Sequence, residues 1–313
     1  MIKVFERWLE RYFAEEEAVL VAVLLVLAVV IMVTMGVVLA PMITAIIIAF
    51  LMQGLVSKCV RIGIPHLGAV FIAFIVLVAA ITLGLLVLLP AIWKQMLTLV
   101  GEAPRMIKEW QHLLLLLPER YPHLITTVQV NQVTSAIAAE LGGLGQMVLT
   151  FSVTRLPILV GVLIYLVLVP ILVFFFLKDG QAMLAWVGNL LPKERPVMKQ
   201  IWREMNLQIA NYVRGKAVEI GIVGLVTGIA FSLLGVNYAL LLGILVGLSV
   251  LIPYIGAAVV TFPIFLIGFF QWGWGSELLY LIVVYAVIQA LDGNVLVPLL
   301  FSEAVKVHPV AIV

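Results

Sequence analysis

Asp292 is the carboxylate in the most unusual setting in this chain. It interrupts an apolar stretch that begins at Leu278, with Gln289 just before it, Asn294 just after it and Pro298 six residues on. A carboxylate with amide neighbours at a helix break can hold a cation or a proton, and ionisable groups within apolar spans are rare and usually functional. The same residues would be merely solvated if they formed a loop at the end of the last span, so both readings stand. Glu219 is the second case. It lies one helical turn into an apolar run, three and five residues after Lys216 and Arg214, with Gly215 between those two. It reads either as an ion-coupling group or as a structural ion pair at the membrane interface.

Other chemistries have no visible basis. The sequence has no HExxH, no GxSxG elbow, no Walker A loop and no CxxC. Its four histidines (His66, His112, His123 and His308) are scattered, with no pair at ligand spacing, so no metal site and no cofactor are expected. Cys59 is the single cysteine, which rules out an intrachain disulfide. The chain does not read as an enzyme, nor as a transporter driven by ATP bound within this chain.

These polar groups belong to elements set by apolar runs. From Tyr238 to Gln271 there is no Lys, Arg, Asp, Glu or His. About 20 helical residues cross a hydrocarbon core of about 30 Å, so this run is too long for one crossing and short for two. Its centre reads Leu251-Ile252-Pro253-Tyr254-Ile255-Gly256, followed by Pro263. Proline removes a donor and glycine permits conformations that other residues avoid, which predicts a break midway between two arms of about fourteen residues each. Irregular backbone at membrane depth survives only where protein or a water-filled cavity satisfies it, and broken apolar hairpins build transporter sites near the midplane. A tight turn between two short helices at the membrane surface is the alternative. If the break is buried, its freed backbone groups need partners; the Tyr254 hydroxyl, trapped water and the cluster Gln289, Asp292 and Asn294 are the nearest sources.

Composition fixes the class. The chain of 313 residues is 65% hydrophobic and 11% charged, against about 25% charged in soluble domains. The fold class is all-α: a polytopic helical membrane protein with about seven apolar spans or half-spans, whose first partner is the lipid bilayer. A net charge of +2 gives no reason to expect nucleic acid. No cleavable signal peptide is evident.

In order, residues 1–17 read as an amphipathic helix on the membrane surface. Residues 18–90 hold transmembrane helices: two spans in Ala18–Val56 with a turn near Gly36 or Pro41, then Leu67–Leu89 ended by Pro90. Residues 91–155 form a polar, amphipathic helical cap, with an apolar stripe of Val133, Ile137, Leu141, Leu144, Val148 and Phe151 and a hinge at Gly142, Gly143 and Gly145. Residues 156–177 are a further span, and 178–216 a basic amphipathic segment. Residues 217–301 return to the membrane around the broken hairpin at 238–271, and 302–313 begin a final span. Gly221, Gly224 and Gly228 make a small-residue face suited to close helix approach, which suggests a homo-oligomer or packing within one subunit. The tail, the short loop after Val56 and the segment 178–216 carry three, two and seven Lys or Arg; the cap carries five over a longer length. The positive-inside rule then puts the N-terminus in the cytoplasm and the cap outside.

Three strings carry a resemblance: Asn211-Tyr212-Val213-Arg214-Gly215-Lys216; Leu251 to Gly256 with Pro263; and Gln289-Ala290-Leu291-Asp292-Gly293-Asn294-Val295-Leu296-Val297-Pro298 with His308-Pro309. In this order they resemble the autoinducer-2 exporter family, most of all its PerM-type permeases of Gram-negative bacteria, and the likeness covers essentially the whole chain. It implies an inner-membrane protein of about eight spans, oligomeric. Members have been linked to export of a small signalling molecule and others to sodium–proton antiport, and PerM-type members have no agreed substrate. Family members continue past the His-Pro pair into a glycine-rich span, whereas this sequence stops at Val313, so a truncated final span is expected.

The reading that follows is a permease for a small molecule or an ion, working by secondary transport. Its pathway candidates are Pro253, Tyr254, Gly256, Pro263, Gln289, Asp292, Asn294 and Pro298, with Glu219, Arg214 and Gly215. The rival readings are a non-transporting scaffold that binds partner proteins, and a passive channel.

Overall fold

Hydrocarbon offers no water to a broken backbone, so an apolar helix continues wherever its own hydrogen bonds allow. The computed structural model describes residues 16–120, 128, 131–132, 135–136, 139, 156–189 and 196–301. The expectations for the amphipathic helix of 1–17, the stripe from Val133 to Phe151, its glycine hinge and the His308-Pro309 motif lie outside those residues. The described chain is helical with no strands, and six of its helices are long and apolar enough to cross a membrane; it is a polytopic helical membrane protein.

Continuity corrects the first expectation. Helix α1 runs unbroken from Glu16 to Arg61, 46 residues, about 70 Å at 1.5 Å per residue. No turn occurs at Gly36 or Pro41. Pro41 costs one hydrogen bond, but the surrounding apolar residues supply no polar groups with which a turn could satisfy the rest. The hydroxyls of Thr34, Thr44 and Ser57 donate to the carbonyls of Val30, Ala40 and Gln53, back onto their own helix. The helix ends where glycine first permits a left-handed residue: Gly63 has φ +94°, and the Ile64 N–H reaches back to the Cys59 carbonyl.

Pro90 does not end a span either. Helix α2 (His66–Leu83) passes through a five-residue π turn, Gly84–Leu88, into α3 (Leu89–Arg120). The Leu89 N–H bonds the Gly84 carbonyl five residues back, and Pro90 follows at once. Widening the helix there makes room for the proline ring, which would otherwise clash with the preceding turn. The same device recurs after α8 (Ser276–Leu291): a π turn over Asp292–Leu296, a Val297 N–H bonded to the Asp292 carbonyl, then Pro298 in α9 (Val297–Phe301). Asp292-Gly293-Asn294 is therefore not a loop but a widened turn inside a helix. Between these lie α4 (Leu156–Asn189), α5 (Pro196–Leu233), α6 (Ala239–Ser249) and α7 (Ile255–Trp272). Helix α4 extends well beyond Leu177, and the basic segment from Pro196 is continuous with the span that follows it.

The helices gather into two compact units, with a boundary inside α5 between Ala217 and Val218. The first contains α1, most of α2, α4 and the basic half of α5. Phe174 of α4 meets Phe71 and Phe74 of α2, with ring centroids 5.3 and 5.4 Å apart. Arg214 of α5 donates from Nε to the Phe50 carbonyl of α1 at 3.2 Å, across the space left by Gly54.

The second unit contains α3, the apolar half of α5, and α6 to α9. Helix α5 ends at Gly235 (φ +72°), where the Val236 N–H bonds the Phe231 carbonyl and Val236 turns into the core. Helix α6 then packs on α5 backbone to backbone, Gly243 and Gly247 against Gly224 and Gly228. Two of the three glycines read as a possible oligomer face are thus used within the chain; Gly221 has nothing within 4 Å of its would-be Cβ. The core of this unit joins Val223 and Phe231 of α5, Leu242 and Val246 of α6, Val260 and Ile264 of α7, and Leu281, Tyr285 and Ile288 of α8.

Candidate functional site

The antiparallel hairpin of α6 and α7 organises the second unit, and its two ends differ chemically. At one end, the Gln271 amide donates to the Gly235 carbonyl (2.6 Å) and accepts from the Asn237 N–H (2.8 Å), tying the end of α7 to the α5–α6 turn. Close by, the Gln95 side chain of α3 accepts from the Leu241 N–H at 2.9 Å, satisfying one of the free donors that open α6. Tyr238 sits on this turn, outside the spans; burial first, and the Glu102 carboxylate second, hold its phenol pKa above the ordinary value.

At the other end the chain breaks over residues 250–254. Arms of eleven and eighteen residues flank the break, rather than two of equal length. Tyr254 has φ +61° and ψ −50°, and the Ile255 N–H bonds the Pro253 carbonyl at 2.6 Å. This is a γ-turn of the rarer positive-φ kind, strained for any residue but glycine, at a cost of about 1–3 kcal/mol. Next to it Gly256 lies directly on Ser249, so that a Cβ at 256 would fall onto the Ser249 carbonyl oxygen. Only glycine allows that approach.

The backbone groups at the break find partners locally, which corrects the expectation that the polar cluster or the Tyr254 hydroxyl would supply them. Leu251 and Ile252 donate to the carbonyls of Leu248 and Ser249, Gly256 to Ile252, and Ala258 to Tyr254. Tyr254 itself is 89% exposed.

Helix α8 runs back along α7 towards this same end. Gly268 of α7 faces Leu278 and Leu281, and one level further the Tyr285 hydroxyl donates to the Ala257 carbonyl at 2.9 Å, with Thr261 Oγ1 3.5 Å away. Three and seven residues beyond Tyr285 come Ile288, in the core, and Asp292, in the π turn. The Oδ1 of Asp292 is shut off from solvent, and Gln289 Nε2 is buried with no acceptor among the described residues. Glu219 reaches this end from α5: its neighbour Ile220 has its carbonyl against Gly247, two residues before the end of α6. Glu219 is 1% exposed. Two carboxylates, an amide and a strained helix break thus share one end of the second unit.

The other expected residues lie as follows. Asn294 is exposed and turns its amide back onto the Ala290 carbonyl at 2.8 Å. Pro298 follows the π turn, and Pro263 sits inside α7. Arg214 and Gly215 belong to the first unit, where Arg214 braces α1. Tyr285 was not among the candidates, although its position was readable: it stands four residues before Gln289 and seven before Asp292, one face of a helix. Thr227 was missed too. It is fully buried between Val223 and Phe231 on α5, and its hydroxyl has no partner among the described residues. Among the described residues no cluster of His, Cys, Asp and Glu could hold a metal ion.

Comparison with known proteins finds relatives named as permeases and transport proteins. The family model described as "AI-2E family transporter" matches residues 8–313. PerM of Escherichia coli (strain K12), named as a permease, is 41% identical over 313 residues, covering 100% of this chain and 89% of that protein. YueF of Bacillus subtilis (strain 168), named as a transport protein, is 26% identical over 187 residues, 59% of this chain and 50% of its own length. YrrI of the same organism, also named as a transport protein, is 31% identical over 145 residues, 46% and 40% of the two chains.

Proposed function

This chain belongs to the AI-2E family of transporters, and from that premise we propose that it is an ion-coupled permease of a bacterial inner membrane, with its pathway at the broken end of the α6–α7 hairpin. The observation that carries the reading is that the break at 250–254 and the buried oxygen of Asp292 lie towards the same end of one unit, in the register set by the Tyr285–Ala257 bond. A carboxylate closed off from solvent within a span can hold either a proton or a cation, and so can exchange one for the other. That exchange is what coupling requires. The buried Glu219 at this end is a second group able to take part. The substrate is a small molecule or an ion, and no cofactor is involved. By its charge distribution the N-terminus is cytoplasmic.

Reconstitution tests this directly, with sodium and protons as the probes. A sodium gradient imposed on proteoliposomes carrying a trapped pH dye should drive proton movement above that of empty vesicles, and abolishing the gradient should stop it. Proton movement that ignores the sodium gradient would favour a passive channel. No flux of either ion would favour the scaffold reading.

A further inference from the structure

The γ-turn at Tyr254 is unusual because the residue that bears the strain, at φ +61°, is itself 89% exposed. The strain is imposed from both sides. Before it, the end of α6 is fixed by the turn bonds of Leu251 and Ile252 to Leu248 and Ser249. After it, Gly256 is seated on the Ser249 carbonyl, and Ala257 is held to α8 by the Tyr285 hydroxyl. A strained link between two clamps relaxes when either clamp opens. The α6 clamp is backbone on backbone, and opening it means parting two helices. At the first turn of α7 the α8 clamp is the hydroxyl bond of Tyr285, one turn before the apolar packing of Val260 on α8, and it stands on the helix face that carries Gln289 and Asp292.

We propose that Tyr254 is a loaded hinge at the tip of the α6–α7 hairpin and that Tyr285 is the positioning residue that latches it. When the Tyr285–Ala257 bond is released, Tyr254 leaves the positive-φ region and the first turn of α7 swings away from α8. A shift of α8 at its π turn moves Tyr285 with it, so the polar end of the helix and the latch are mechanically one piece. The use of this hinge in a transport cycle rests on the permease reading; its existence does not, and it is measured without flux.

Amide hydrogen exchange on the whole protein in lipid nanodiscs reads the tip through the N–H groups of Ile255, Gly256 and Ala258, with Val236 at the far end as the reference. Tyr285→Phe keeps the ring and loses the bond, and should raise tip exchange roughly tenfold with Val236 unchanged. Tyr254→Gly should slow tip exchange by a similar factor, because glycine adopts positive φ without strain. The double variant should return close to the parent. Unchanged tip exchange in Tyr285→Phe, or an equal rise at Val236, overturns the latch. Faster tip exchange in Tyr254→Gly overturns the loaded hinge, because the added flexibility of glycine would then outweigh any relieved strain.

Discussion

A Cβ added to Gly243 would stand 2.7 Å from the Cα of Gly228, because α5 and α6 meet backbone to backbone. Neither backbone can yield without parting the helices. Overpacking of this kind costs about 1–3 kcal/mol, and a backbone neighbour puts the cost at the upper part of that range. Gly243→Ala should therefore lower the thermal midpoint in detergent. Gly221→Ala, one helical turn before Gly224 with open space around it, should leave the midpoint unchanged or raise it. Equal losses in the two variants would show that the glycines act through something other than this contact.

Gly256 offers a sharper version of the same test. Its missing side chain lets Ser249 and the start of α7 touch. Gly256→Ala should disrupt the hairpin tip and abolish flux, and Gly256→Leu should do so at least as strongly. Gly293→Ala, in the π turn with nothing within 4 Å, should be tolerated far better. Folding yield and flux measured on the three variants decide the matter; an active Gly256→Ala protein would mean that the tip does not close as seen here.

Much of this was legible in the sequence, and the failures have a common cause. Charge-free runs and the Pro253–Gly256 break are local signals, and local signals suffice when hydrocarbon leaves the backbone few choices. Prolines misled. Pro41 and Pro90 each looked like a boundary, yet each lies within a continuing helix, Pro90 behind a π turn of the same length as the one before Pro298. A π turn depends on which carbonyl a given N–H selects, and no residue type marks it. The Tyr285–Ala257 bond spans 28 residues and depends on how α7 and α8 pack, so only the face shared with Gln289 and Asp292 hinted at it. The bond from Arg214 to the Phe50 carbonyl of α1 likewise spans 164 residues, and its motif alone did not mark it.

Thr227 carries a prediction whose sign is diagnostic. An orphaned hydroxyl in an apolar core costs free energy, and an apolar group of the same shape removes that cost. Thr227→Val should raise stability by about 1 kcal/mol, read as a higher thermal midpoint. A fall would reveal a bound water that accepts from or donates to the hydroxyl.

Topology is testable on described, exposed positions. In a background with Cys59→Ala, Glu109→Cys on α3 should react with an impermeant thiol reagent added to intact cells, and Lys199→Cys on α5 should react only after the membrane is opened. The reverse pattern would invert the orientation inferred from the Lys and Arg distribution.

The central claim is that the carboxylate of Asp292 exchanges a proton for a cation at the broken end of the hairpin. Asp292→Asn keeps size and polarity and removes the charge, so it isolates that step. Sodium-driven proton flux should be measured in proteoliposomes for parent and variant, each matched for protein content and for elution volume before reconstitution. The account predicts that the Asn variant loses the coupled flux while its expression and oligomer size match the parent. An Asp292→Asn protein as active as the parent would contradict it and take Asp292 out of the mechanism.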